Sequence, residues 1–142
     1  MTENEIGAII VDESVRLHIA LGPGLLETVY EVILADRLQK RGLIVERQKP
    51  IPVVFEGHAF NEGFRADLIV NGKVIIELKS VENLHPAHKK QTLTYLKLTG
   101  LKLGYLLNFG DSVMKSGITR IVNGYLEDAP KFYSHGATKA QR

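Results

Sequence analysis

The segment from Arg65 to Lys79 restricts the fold of this chain more than any other stretch. Apolar residues at Ala66, Leu68, Val70, Val74, Ile76 and Leu78 recur at every second position on either side of Asn71-Gly72. That spacing is the period of extended strands joined by a turn. Asp67, Glu77 and Lys79 interrupt the pattern. A carboxylate in a buried strand loses hydration worth several kcal/mol unless a cation or hydrogen bonds replace it, so these acids require a neutralising partner. Two solutions are open. Lys79 can pair with Glu77 or Asp67 as a salt bridge on the sheet surface. Alternatively, Asp67 and Glu77 can supply oxygen ligands to a hard divalent cation, with Lys79 beside a water or phosphate.

The turn decides whether Asp67 belongs with the other two. Side chains alternate across a strand, so Glu77 and Lys79 share a face. A two-residue Asn71-Gly72 turn would pair Asp67 with Ile76 and send Asp67 and Glu77 to opposite faces. A three-residue loop with Gly72 in the left-handed conformation would make them same-face diagonal neighbours. The apolar pattern favours the longer loop, with Ala66, Leu68, Val70, Val74, Ile76 and Leu78 on one face. Asp67, Ile69, Ile75, Glu77 and Lys79 then occupy the other.

Around this hairpin the periodicity predicts an α/β chain. Ile6, Ile9, Ile10, Leu17 and Leu21 predict a helix over 5–21, broken by Gly22-Pro23-Gly24. A second helix is expected over 25–41, with Leu26, Val29, Ile33 and Leu38 on its inner stripe and Gly42 as its stop. Arg37, Lys40 and Arg41 load its last turn, where cations offset the helix dipole. Beyond Gly42, β-branched residues with Pro50 and Pro52 predict an edge or bulged strand. A helix over 85–99 follows, with Pro86 at its first position and Gly100 as its stop, and then strands over 104–109 and 118–122. With 142 residues, 44% of them hydrophobic, the chain suits one domain over 1–126 and a flexible C-terminal tail over 127–142.

Composition narrows the chemistry. There is no cysteine, which excludes disulfides and thiolate metal sites and is compatible with a reducing cytoplasm. The five histidines form no His-x-x-x-His pair, so oxygen is the expected metal donor. A net charge of +2 is too small to identify a nucleic-acid binder by itself. No signal-peptide pattern or membrane-length apolar run occurs, and a soluble cytoplasmic protein is expected.

Asp67 followed across a hairpin by Glu77-Leu78-Lys79 resembles the PD-(D/E)XK, or restriction-endonuclease-like, nuclease superfamily, with Ala66 where the motif has proline. Gly24-Leu25-Leu26-Glu27-Thr28-Val29-Tyr30 resembles the naming motif of the GxxExxY family within it. The likeness runs in order from His18 to about Val122, through Gly22-Pro23-Gly24, Arg65-Ala66-Asp67, His88, Gln91 to Tyr95 and Leu106 to Gly110. It implies a core of helix, three strands, helix and strand behind an extra N-terminal helix, with a central mixed sheet flanked by helices.

The resemblance also implies phosphodiester hydrolysis, in DNA ahead of RNA, with Mg²⁺ or Mn²⁺ held by Asp67 and Glu77. Glu27 would serve as a further acid, Lys79 would orient the attacking water, and Gln91 would position water or backbone. Glu27 equally suits the first turn of any helix, where the dipole favours a carboxylate, and Gln91 suits a surface amide beside Tyr95. Tyr30 and Tyr95 read as packing groups or as base-stacking platforms. His18 and His88 read as packed histidines or cleft residues, and Lys89, Lys90 and Lys97 as a solvated face or as phosphate contacts. A homodimer would let two strands be cut. The competing functional reading is a non-catalytic nucleic-acid- or protein-binding protein on the same scaffold. A purely structural oligomerisation module is a third, which leaves the three acids unexplained.

Overall fold

Helical spacing of apolar residues builds two N-terminal helices, α1 (Glu3–Leu21) and α2 (Glu27–Lys40), in a computed structural model that describes residues 1–126. The expected tail over 127–142 lies outside the described residues. Thr2 and Glu5 close a reciprocal box at the start of α1, each side chain accepting the other's backbone N–H. The cations at the end of α2 do more than face its dipole. Arg37 reaches Glu13 at 3.4 Å and Arg41 reaches Asp12 and Glu13 at 2.8 and 2.6 Å, tying α2 to α1.

Past Gly42 the chain becomes extended. β1 (Val45–Phe55), β2 (His58–Val70), β3 (Val74–Lys79), β4 (Leu103–Asn108) and β5 (Ile118–Val122) form one sheet in chain order. Only β3 and β4 pair in parallel. The link between them is α3 (Pro86–Thr99), because parallel neighbours need a long crossover. It starts with Pro86 behind the His85 cap and stops at Gly100 in the left-handed conformation, φ 75°. The four-residue α4 (Met114–Gly117) before β5 was not expected.

Helices cover both faces of the sheet. Ile6, Ile10, Leu17, Tyr30, Leu34 and Leu38 pack with Leu68, Val70, Ile76 and Leu78 on one side. Leu96 packs with Ile69, Ile75, Leu106 and Ile121 on the other. β1 is an edge strand, and its pairing slips between Ile51 and Val53, around Pro52, which has no N–H to donate.

Two expectations are corrected. The inner stripe of α2 is Tyr30, Glu31, Leu34, Ala35 and Leu38. Leu26 is instead 78% exposed and Val29 37% exposed, because the helix begins only at Glu27 and turns its Tyr30–Leu34–Leu38 side to the sheet. Ala66 packs with Ile69 and Ile75 and not with Leu68. Its strand changes face at Asp67, opposite Gln48, whose φ of 50° breaks the extended geometry.

Candidate active site

Asn71 and Gly72 both adopt left-handed conformations, φ 51° and 63°, and the loop between β2 and β3 contains Asn71, Gly72 and Lys73. The longer turn is therefore realised. Asn71 also fastens the loop to the start of β1, its amide oxygen accepting from Ile44 N–H and its own N–H donating to Ile44 carbonyl, both at 2.8 Å. The pairs Val70–Val74, Ile69–Ile75 and Leu68–Ile76 set the register. One further step places Asp67 directly opposite Glu77, closer than the expected diagonal arrangement.

Backbone pairing of β2 with β3 stops at Leu68–Ile76, and the two carboxylates take over. Asp67 N–H donates to Glu77 Oε2 at 2.9 Å, and Leu78 N–H donates to Asp67 Oδ2 at 2.9 Å. Each acid thus satisfies a backbone donor at the point where the strands part. β3 remains paired with β4 as far as Lys79–Asn108. The sheet consequently opens on one side of β3 only.

Burial and like charge meet at Glu77. Its side chain is 8% exposed. Desolvation, followed by the charge of Asp67, pushes its carboxyl from the ordinary 4.5 up to about 8, against the pull of the Asp67 N–H and of Lys79. Lys79 stands at the end of β3, half-buried. Among the described residues it forms none of the ion pairs, so the salt-bridge solution is not the one adopted. Its charge acts on Glu77 and on His88.

The acid of α2 that faces this pair is Glu31, one turn beyond Glu27. Glu31 is 5% exposed, adds to the charges raising Glu77, and is gripped by Arg47 through Nε at 3.1 Å and Nη2 at 3.0 Å. Gln48 Nε2 donates to Glu31 Oε1 at 2.7 Å and to Asp67 Oδ1 at 3.3 Å. Glu27 is exposed at the helix start, where it lines an open cavity of about 400 Å³ with Gly24, Leu25, Leu26, Thr28 and Ser80. Its charge acts on His88. Neither Glu31 nor Gln48 was singled out from sequence. The available signal was a carboxylate on the same helical stripe as Leu34 and Leu38.

From α3, the Tyr95 hydroxyl is acted on by the charges of both acids. Its ring stacks on Phe64 with centroids 3.8 Å apart. Burial raises its hydroxyl pKa, with Glu77 and Asp67 adding to the effect and a hydrogen bond with Gln91 opposing it. Gln91 is exposed and is tied to the site through Tyr95. His88 accepts from His85 N–H in the cap of α3 at 3.3 Å. Partial burial, then Lys79 and His85, hold its imidazole below the usual range. Lys89 and Lys90 are exposed on the same helix. His18 and Tyr30 are packing groups. The His18 ring bonds the Asp111 carbonyl at 2.8 Å, and Tyr30 stacks on Phe109 and donates to the Gly22 carbonyl.

A hard dication suits this donor set. Asp67 and Glu77 offer adjacent oxygens, and burial, with the charge of Asp67 added, keeps the Glu77 carboxyl protonated where no further positive charge offsets it. Among the described residues no group of three or more His, Asp or Glu side chains surrounds a single point. Two carboxylates, completed by water and backbone oxygen, are the donors available.

The mixed sheet with helices on both faces, split beside an Asp–Glu pair and a lysine, defines an α/β domain of the restriction-endonuclease-like class. Residues 4–121 match the model of the PD-(D/E)XK nuclease superfamily, and the chain belongs to that superfamily. No curated protein matches the chain. No described helix is long and apolar enough to cross a membrane.

Proposed function

We propose that this protein hydrolyses phosphodiester bonds in DNA, with Mg²⁺ or Mn²⁺ held by Asp67 and Glu77, and that residues 1–126 form the single domain that does so. The observation that carries the reading is the mutual capping of Asp67 and Glu77 at the parting of β2 and β3. It holds two oxygen donors side by side beside Lys79, which among the described residues is in no ion pair. When bound, the divalent ion supplies a water of lowered pKa and offsets charge on the scissile phosphate.

The chain's own residues do the rest. Asp67 and Glu77 are oriented by backbone N–H groups, so little reorganisation is needed when the substrate arrives. Glu77 would hold the ion as a carboxylate, its proton passing to solvent. Lys79, whose ammonium is held by no carboxylate among the described residues, orients the attacking water and stabilises the phosphate oxygens. Gln91 acts through Tyr95 at the rim, Glu27 faces the approach from α2, and His88 faces it from α3. Lys89 and Lys90 meet the phosphate backbone, where each contact steepens the salt dependence of binding.

Gly24, Glu27 and Tyr30 support placement in the GxxExxY family of the superfamily. Two copies in a homodimer would bring one site to each DNA strand, and a cysteine-free chain suits the cytoplasm. The test is cleavage of single- and double-stranded DNA and of RNA with Mg²⁺ and Mn²⁺, for the unchanged chain and for Asp67→Ala, Glu77→Ala and Lys79→Ala. Each variant is expected to lose at least about 100-fold in kcat. Metal-dependent cleavage surviving all three substitutions would sink the assignment.

A further inference from the structure

We infer that Gln48 is a positioning residue for Asp67, and that Glu31 acts on the site through it; the inference rests on the metal-bound reading proposed above. Gln48 has a non-glycine backbone at φ 50° inside β1, and no Gln48–Asp67 pair joins the β1–β2 ladder between Arg47–Leu68 and Lys49–Ala66. A left-handed residue in a strand is strained unless its surroundings fix it. Here the Gln48 carbonyl, turned out of the ladder, accepts from Arg65 Nη1 at 3.1 Å. The same turn delivers the side-chain amide to the space between α2 and the hairpin.

The amide has one available orientation. Carboxylates accept and do not donate, so a glutamine between two of them must present its NH₂ group to both. Nε2 uses one hydrogen on Glu31 and the other on Asp67. Glu31 is in turn fixed by the Arg47 guanidinium, with Nε and Nη2 both on Oε2, leaving Oε1 to receive Gln48. The relay therefore runs Arg47, Glu31, Gln48, Asp67. Leu78 N–H occupies Oδ2 and Gln48 occupies Oδ1, so both oxygens of Asp67 are set in place and the rotation of its carboxylate is stopped. Glu31 is the orienting group, joined to Asp67 through the Gln48 amide.

The experiment counts free Mn²⁺ by electron paramagnetic resonance during titration of the full chain, alongside steady-state cleavage. Groups that orient ligating carboxylates change metal affinity by about 10–100-fold. Gln48→Met removes the donors and keeps the length, and is expected to weaken Mn²⁺ binding at least about tenfold and to lower kcat with little change in KM for DNA. Glu31→Gln is expected to act in the same direction, and to add nothing in the Gln48→Met background.

Wild-type Mn²⁺ affinity in Gln48→Met would overturn the inference. So would full additivity of the two substitutions, which would make Glu31 a direct participant. Asp67→Ala is the control. An unchanged chain that binds no Mn²⁺ overturns the metal reading itself, whereas binding that Asp67→Ala abolishes and Gln48→Met leaves intact overturns the relay alone. Should Gln48→Met not fold, Gln48→Gly removes the same amide while relaxing the positive φ, and is held to the same expectation.

Discussion

Glu77 carries a proton that its position on a strand would not suggest. Folded and metal-free, its carboxyl keeps that proton up to about pH 8, whereas the ordinary value is 4.5. Between those limits the folded chain binds more protons than the unfolded one, so stability falls as pH rises through the window. The expected loss between pH 5 and pH 8 is on the order of a few kcal/mol. Urea unfolding of metal-free protein across that range checks it, and Glu77→Gln should flatten the profile. An equally steep slope in the variant would assign the effect to other groups. Asp67, Glu77 and Lys79 were legible because charges stand out in apolar strands. Glu31 and Gln48 were not, since each is an ordinary polar residue in its own segment. They meet only because α2 packs across β1, a contact that no local pattern encodes.

Elements were legible where the period was long and the punctuation strong. Pro86 and Gly100 bracket α3, and Asn71-Gly72 marked the one turn on which the site depends, while the apolar alternation favoured its three-residue length. The inward side of α2 was misread because apolar residues lie all around it, with Leu26, Val29 and Val32 outside and Leu34 and Leu38 inside. Close approaches between elements left only glycines as their mark. A Cβ on Gly110 would lie 2.2 Å from the Val81 carbonyl oxygen, and Val81 is the segment that Asn108 clamps just after Lys79. Gly110→Ala is therefore expected to cost about 1–3 kcal/mol, read as a lower melting temperature, and to lower cleavage by shifting the end of β3. Unchanged melting would show that the clamp yields freely. Gly63 plays the corresponding part in the β1–β2 ribbon, where a Cβ would lie 2.1 Å from a Val53 methyl.

For the molecule as a whole, the order of helices and strands, α4 apart, followed from periodicity, while the pairing of α1 and α2 on one face and α3 on the other came from packing. On the metal-bound reading, Mg²⁺ or Mn²⁺ should raise the melting temperature, by about 2.7 kcal/mol of stabilisation at a hundredfold excess over Kd. At one fixed ion concentration the rise should be greater at pH 8 than at pH 5, since ion and proton compete for Glu77 and Kd is lower at pH 8. Calorimetry at both values measures this, and a pH-independent shift would point to binding elsewhere.

The mutual capping of Asp67 and Glu77 has a mechanical side as well. β3 stays zipped to β4 while β2 peels away, so the last two rungs between β2 and β3 are made of the same atoms that the reaction would use. The site is the slider of that zipper, and its chemical state and the spread of the ribbon form one variable. Hydrogen–deuterium exchange at the Asp67 and Leu78 amides would then report what the carboxylates hold, with no substrate present.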